Sequence, residues 1–447
     1  MSIADNLNKL PDQEIQERNL VNSFLPFRQQ RSNVAEYDFE AIAASVLSTA
    51  LRRKIKKGND LESYKSRIIS RLTNKLTDDS LGDLIYEMYF SGNDLGLYKV
   101  SPEFLLFKES LADASNNKHV SQLLKNFIAE SDRSFPPLRS AVNFLESELV
   151  SELQTGLEEY RPISFESPYL PFLSEFFAED LQFLFQHPNY LLQNIRSFFG
   201  LYAFLYSAQL ALNINGWKSE PESKPLFFIL DTEKASLERK YVKEAFPQLK
   251  ARVADLFPVL SMLEYLNQPQ NKKAVKYPLW KIFNHIEGVG ESERINVQRS
   301  MANFCDKYRK KRGLSKVEGY PRDIISMVHL LTETAKEIFS KRGTSQFTVN
   351  SKFVNAFENE IAQHFVQTRG RSGRVLTISQ DYFLLLTNLA IGDREQLQFQ
   401  ELLSAFRKRG VWFDRQSELA IIKFLERIGN IEKMSDSGDA VYVQKTL

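Results

Sequence analysis

The strongest chemical signal in this 447-residue chain is an apolar run that ends in acid, Pro225-Leu226-Phe227-Phe228-Ile229-Leu230 followed by Asp231-Thr232-Glu233-Lys234. A strand of that kind can deliver a carboxylate to a metal ion beside a phosphate, as the second nucleotide-binding motif of P-loop enzymes does. That chemistry also needs a loop to cradle the phosphates. No Gly-Lys pair followed by Ser or Thr occurs anywhere in the chain, which argues against ATP hydrolysis. A metal-dependent nuclease core would place a further acid and a lysine one residue apart, whereas Glu233 and Lys234 are adjacent. The competing reading makes Asp231 the N-cap of a helix that begins at Thr232.

Other reactive side chains form no pattern. His119, His187, His285, His329 and His364 are scattered without the paired spacing of a zinc site, and nothing around them resembles a Ser or Cys nucleophile. Cys305 stands alone, so one chain can build neither a disulfide framework nor a Cys-based zinc site, and a reducing cytosol is the simplest compartment. Gly288 and Gly290 make a Gly-x-Gly that lacks a third glycine and a preceding strand, and it reads as a loop. The expectation is a chain with no catalytic residue, no metal and no cofactor.

Cations are the remaining chemistry. The chain carries a formal charge of +2, yet residues 51–76 hold nine Lys and Arg, beginning with Arg52, Arg53 and Lys54, against Asp60 and Glu62 alone. A second block, Arg309-Lys310-Lys311-Arg312, is flanked by Phe304 and Tyr308, which could stack on unpaired bases. Charge segregated in this way on a nearly neutral chain is the footprint of phosphate contact, or of a solvated face or an acidic partner.

The elements that must position these groups are mainly helical. Phe39, Ile42, Ala43, Val46, Leu47 and Ala50 form one stripe of a first strong helix. Ser197 to Trp217 carries no charge and is long enough to be weighed as a membrane span, but its Ser, Gln, Asn and Gly residues favour a buried helix in a chain that stays in solution. Met1 to Leu20 is polar and lacks the apolar centre of a signal peptide, so the expected location is cytoplasmic. Boundaries fall at the Pro-containing run from Arg161 and at Arg369-Gly370-Arg371-Ser372-Gly373-Arg374. They divide the chain into an N-terminal helical region (1–160), a central aromatic-rich helical region (161–368), a flexible basic linker (369–376) and a C-terminal domain (377–447).

In that last domain Thr377 and Gln380 have capping-box spacing ahead of an apolar helix. Phe399, Leu402, Leu403 and Phe406 mark a second helix, and Ile421, Phe424, Leu425 and Ile428, behind a cap at Asp414, a third. Ile431–Met434 and Ala440–Val443 then read as a hairpin. Three helices and a hairpin make a winged-helix-like domain on a multi-helical body. Its third helix presents Gln416, Ala420, Lys423 and Arg427 as a polar stripe, which a groove-reading helix would need. Against that stand Asp436 and Asp439 at the wing tip and nine Lys and Arg against ten Asp and Glu over residues 379–447, so docking to DNA and docking to protein are both open.

Phe228 to Ser236 in mid-chain, and the ending from Gly410-Val411-Trp412-Phe413-Asp414 through Ile431-Glu432-Lys433 to Asp439-Ala440, resemble the DptG (also DndG) subunits of DNA phosphorothioation-dependent restriction systems. The resemblance implies a non-enzymatic component of a bacterial defence complex that acts on DNA lacking the sulfur modification. It also implies DptF-like and DptH-like partners carrying the ATP-dependent chemistry, and it brings no catalytic residue with it. Alternatives are a free-standing DNA-binding regulator using Gln416, Lys423 and Arg427, and a metal-dependent nuclease of unfamiliar geometry using Asp231 and Glu233.

Overall fold

The computed structural model describes residues 3–27, 37–75, 80–92, 95–113, 117–131, 133–138, 143–161, 166–267, 275–433 and 441–447. The wing-tip residues Asp436 and Asp439 lie outside that set. The protein is mainly helical with a few small sheets. Its principal helices are α1 (Phe39–Leu51), α2 (Leu61–Lys75), α3 (Phe144–Thr155), α4 (Pro171–Gln186), α5 (Pro188–Asn213), α6 (Lys240–Leu266), α7 (Glu291–Lys311), α8 (Ile324–Ser340), α9 (Gln380–Ile391), α10 (Phe399–Lys408) and α11 (Arg415–Arg427).

Helix α1 starts where the Asp38 carboxylate accepts from the amides of Glu40 and Ala41 at 3.1 and 3.0 Å, and its stripe from Ala41 to Ala50 is buried. The charge-free stretch from Ser197 falls largely in α5, which is buried almost all round from Phe198 onward. Its polar groups are satisfied inside the protein. Ser207 donates to the Ala203 carbonyl, Asn213 to the carbonyls of Gln209 and Glu222, and Tyr206 to that of Phe24. Among the described residues no helix is long and apolar enough to cross a membrane.

Against α5 lies a four-stranded sheet in the order β4 (Val366–Thr368), β5 (Arg374–Ile378), β3 (Leu226–Leu230), β7 (Val411–Phe413). The central strand β3 pairs in parallel with β5 and β7, and β4 closes the sheet antiparallel to β5. Alternation divides β3 between two cores. Leu226, Phe228 and Leu230 join the main cluster, where Phe228 meets Phe204 edge-on at 6.1 Å, while Ile229 packs with Val242 and Val375 in a small cluster on the opposite face. The main cluster runs without interruption from Ala4 to Val443, across all the expected boundaries. Two smaller sheets complete the fold: β1 (Arg53–Ile55) with β2 (Leu157–Glu159), and β6 (Gln396–Gln398), β9 (Val441–Gln444) and β8 (Ile431–Lys433), all antiparallel.

Three expectations from sequence need correction. No helix begins at Thr232. The Glu233 carboxylate reaches back to the Leu230 amide at 2.7 Å and closes a turn, and α6 starts only at Lys240. The stretch 369–376, expected as a flexible linker, turns at Gly370–Ser372 and enters β5 at Arg374. Its Arg-Gly chemistry suggested a linker, but Val375 to Ile378 is a short run that a sheet can bury, and Arg374 pairs with Glu358 at 2.7 Å over the Phe246 ring. The C-terminal hairpin also has a third strand, β6, whose three residues carry no periodicity of their own.

Candidate functional site

Open parallel sheets bind ligands beyond the carboxyl ends of their strands. Here β3, β5 and β7 end together at Asp231, Ser379 and Asp414, and a buried polar knot fills the space. At its centre is Arg239, whose side chain is 4% exposed. It grips Asp414 with two bonds, Nε to Oδ2 at 2.7 Å and Nη2 to Oδ1 at 2.5 Å, and reaches Glu233 from Nη1 at 3.0 Å. Ser417 accepts from Arg239 at 2.6 Å and donates to Glu233 at 3.0 Å, while its own amide is capped by Asp414 at 3.0 Å. Burial works against the charge on Arg239, and Asp414 and Glu233 more than restore it. Burial also pushes the Asp414 carboxyl up, but Arg239 and the Ser417 amide hold it below the usual carboxylate range.

Asp231 stands beside the knot without joining it. Its amide donates to the Ile378 carbonyl at 3.0 Å, its carbonyl accepts from Arg369, and its buried Oδ1 has no hydrogen-bond partner. The fold therefore does not present Asp231 and Glu233 as a pair, because Glu233 is committed to Leu230, Arg239 and Ser417. Among the described residues no group of three His, Cys, Asp or Glu side chains is placed to hold a metal ion.

Helix α11, which grows from this knot, buries Ser417, Ile421, Phe424 and Leu425. Gln416, Lys423 and Arg427 lie exposed on its outer face beside Leu419, which is 47% exposed, and Arg427 covers the Phe424 ring at 5.6 Å. Ala420 is half-buried. Glu418 is turned away toward Arg407 and Arg415, at 3.3 and 3.2 Å.

The basic blocks are largely spent on the fold. Lys54 pairs with Glu158 at 3.1 Å, and Arg67 and Arg71 on α2 pair with Glu152 and Glu148 on α3 at 2.9 to 3.0 Å. Arg53 is exposed. Arg52, also exposed, is the one non-glycine residue among those described with a left-handed backbone, at φ +53°, a state that costs an L-residue roughly 1–2 kcal/mol. In the second block Arg309 is buried and donates to the Ser315 carbonyl at 2.8 Å, to Thr334 at 3.1 Å and to Glu337 at 2.9 Å. Arg312 donates to the carbonyls of Gln16 and Glu17 at 2.9 and 3.2 Å, and Lys311 lies 3.8 Å from Glu17. Lys310 is exposed. Phe304 and Tyr308 are buried and stack on each other, so they do not offer rings to bases.

Sequence reasoning missed two arginines altogether. Arg239 follows a polar loop and carries no motif. Arg409, at the end of α10 where cations are common, is buried with two bonds to Asp180 on α4, at 3.1 and 2.5 Å, and Asp180 sustains its charge against burial. Both are invisible in sequence because the acids that they grip with two bonds, Asp414 and Asp180, lie 175 and 229 positions away. Compared with protein-family models and with curated proteins, the sequence matches none.

Proposed function

We propose that this protein is a non-catalytic adaptor subunit of a bacterial phosphorothioation-dependent restriction complex, acting in the cytoplasm on DNA that lacks the sulfur modification. DptF-like and DptH-like partners supply the ATP-dependent steps. The strings at 228–236 and 410–440 that resemble DptG subunits support this reading. Support also comes from the C-terminal run of three helices, α9, α10 and α11, followed by the antiparallel strands β8 and β9, although β7, between α10 and α11, belongs to the sheet of β3. The observation that carries it is the division of labour at α11: Asp414 and Glu418 are engaged by arginines, while Gln416, Lys423 and Arg427 face outward. That face is available to a DNA groove or a partner subunit, whereas Glu233 has been given over to structure.

The same face favours, as a second reading, a free-standing winged-helix regulator. Co-expression with the DptF-like and DptH-like subunits of one host, followed by size-exclusion chromatography and DNA-binding measurements, separates the two. The adaptor reading expects co-elution with a partner. It also expects Lys423→Glu/Arg427→Glu to lower the affinity of the assembled complex for duplex DNA about tenfold without dissolving it. Failure to co-elute, together with sequence-selective binding by the chain alone, would put the regulator in its place.

A further inference from the structure

Two depressions of about 450 and 440 Å³ adjoin at Arg133, which lines both. The first lies between α4 and the α9–α10 connection and carries Arg394 and Lys408. The second lies beyond the C-terminal end of α1 and carries Arg52 and Arg161, and no carboxylate lines it among the described residues. The carboxylates of the first are Glu179 and Asp393, and Asp393 also acts on His187, as does Lys445. Arg409, in its floor, is already matched by Asp180.

We infer that this furrow is a binding site for the phosphates of a single nucleic-acid strand, with Arg52, Arg161, Arg133, Arg394 and Lys408 placed along it. Arg52 makes the strongest case. It occupies the left-handed position that ends α1, where glycine is the favoured residue, and its guanidinium has no partner among the described residues. An arginine in a position that favours glycine, over a depression that Arg133 and Arg161 share, points to a use for its side chain. The other cations are all exposed, although the Arg394 guanidinium is committed to two backbone carbonyls. Arg133 donates to Gln182 at 3.1 Å, Arg161 pairs with Glu159 where both are exposed, Arg394 donates to the carbonyls of Ile391 and Ala390, and exposed Lys408 has no partner among the described residues.

The shape selects the ligand. Five cations strung along two joined depressions suit a row of phosphates better than one small anion. Recessed charge is reached by an extended strand more readily than by the convex backbone of a duplex. Half-buried Phe135 and Phe176 stand in the walls, one in each depression, but Phe135 packs on Phe185 at 5.2 Å and Phe176 lies under the Arg409 guanidinium at 4.4 Å, so the rings shape the furrow and the cations carry the binding. The inference stands apart from the adaptor reading, since none of these residues lies on α11.

The test uses the full-length protein and a fluorescently labelled single strand of mixed sequence, titrated by anisotropy at several salt concentrations. The informative substitutions are Arg52→Gly and Lys408→Gln. Arg52→Gly relieves the backbone, so its melting temperature should hold or rise while binding falls. The double variant should lose about tenfold in affinity at low salt, and the slope of log affinity against log salt should drop by about 1.4 for the two phosphate contacts removed. Unchanged affinity and slope would refute the proposal. So would displacement of the strand by oligo-glutamate of equal charge as readily as by unlabelled strand, which would make the furrow a protein-docking surface. Competition by inorganic tripolyphosphate as effective, per phosphate, as that by the strand would reduce it to a small-anion site.

Discussion

Arg239 joins two carboxylates that come from distant parts of the chain, and its removal exposes how unequal the residues of the acidic motif are. Arg239→Ala would leave Glu233 and Asp414 in a largely buried site without their counter-ion, a change that costs about 3–5 kcal/mol in such settings. Asp231→Ala, in contrast, removes a carboxylate whose buried Oδ1 has no hydrogen-bond partner, and the variant should be as stable as the parent or up to about 1 kcal/mol more stable. Urea denaturation of the two variants side by side checks this, and the reverse ranking would mean that Asp231 holds the end of the sheet. At this scale the sequence was informative about residue type and misleading about role. An acid after an apolar run correctly marked the end of a strand. Which acid would be used, and by what, depended on an arginine six residues beyond Glu233 and a serine in another element.

The junction between α10 and β7 rests on a single glycine. Gly410 has φ +89°, and a Cβ there would lie 2.1 Å from Nε2 and 2.8 Å from Cδ of Gln209 on α5. That glutamine cannot easily withdraw, because its amide binds the backbone of Lys224 at both ends, donating to the carbonyl and accepting from the N–H at 2.8 Å each. Gly410→Ala combines a disfavoured backbone with overpacking and should cost about 3 kcal/mol. Gly429→Ala, at φ +76° but in open space, should cost only about 1–2 kcal/mol. Thermal melts of the pair separate close approach from backbone strain, and equal losses would show that the contact with Gln209 is unimportant. Elements with a long 3.6-residue period, such as α1 and the three C-terminal helices, are legible in the sequence itself. Strands of three to five residues were not, apart from those flanked by turn formers. A strand as short as Val411–Phe413 is defined by the neighbour it finds, and that neighbour is nowhere near it in sequence.

Seen whole, the chain does not come apart where its composition changes. Strands β5 and β7 border β3 on either side, Arg409 is locked to Asp180, and Asn388 on α9 donates to Tyr190 on α5 at 2.7 Å. Residues 377–447 produced alone would therefore expose the edge of β7 that pairs with β3 and leave Arg409 without its acid. They should show no cooperative melt by circular dichroism, while the full chain shows one; a sharp independent transition would establish the C-terminal segment as a self-sufficient unit. The boundaries drawn from proline and arginine-glycine runs rest on local composition, in which long-range pairing leaves no trace. The position of β3 between later strands also has a consequence during synthesis. At translation rates of roughly 5–20 residues per second, Leu226-Phe227-Phe228-Ile229-Leu230 waits roughly ten to forty seconds after leaving the ribosome before Val411–Phe413 exists to cover its edge. Until Arg374–Ile378 emerges the strand has two open sides and after that one, and a nascent chain paused there would be a natural client for a chaperone that binds extended hydrophobic segments.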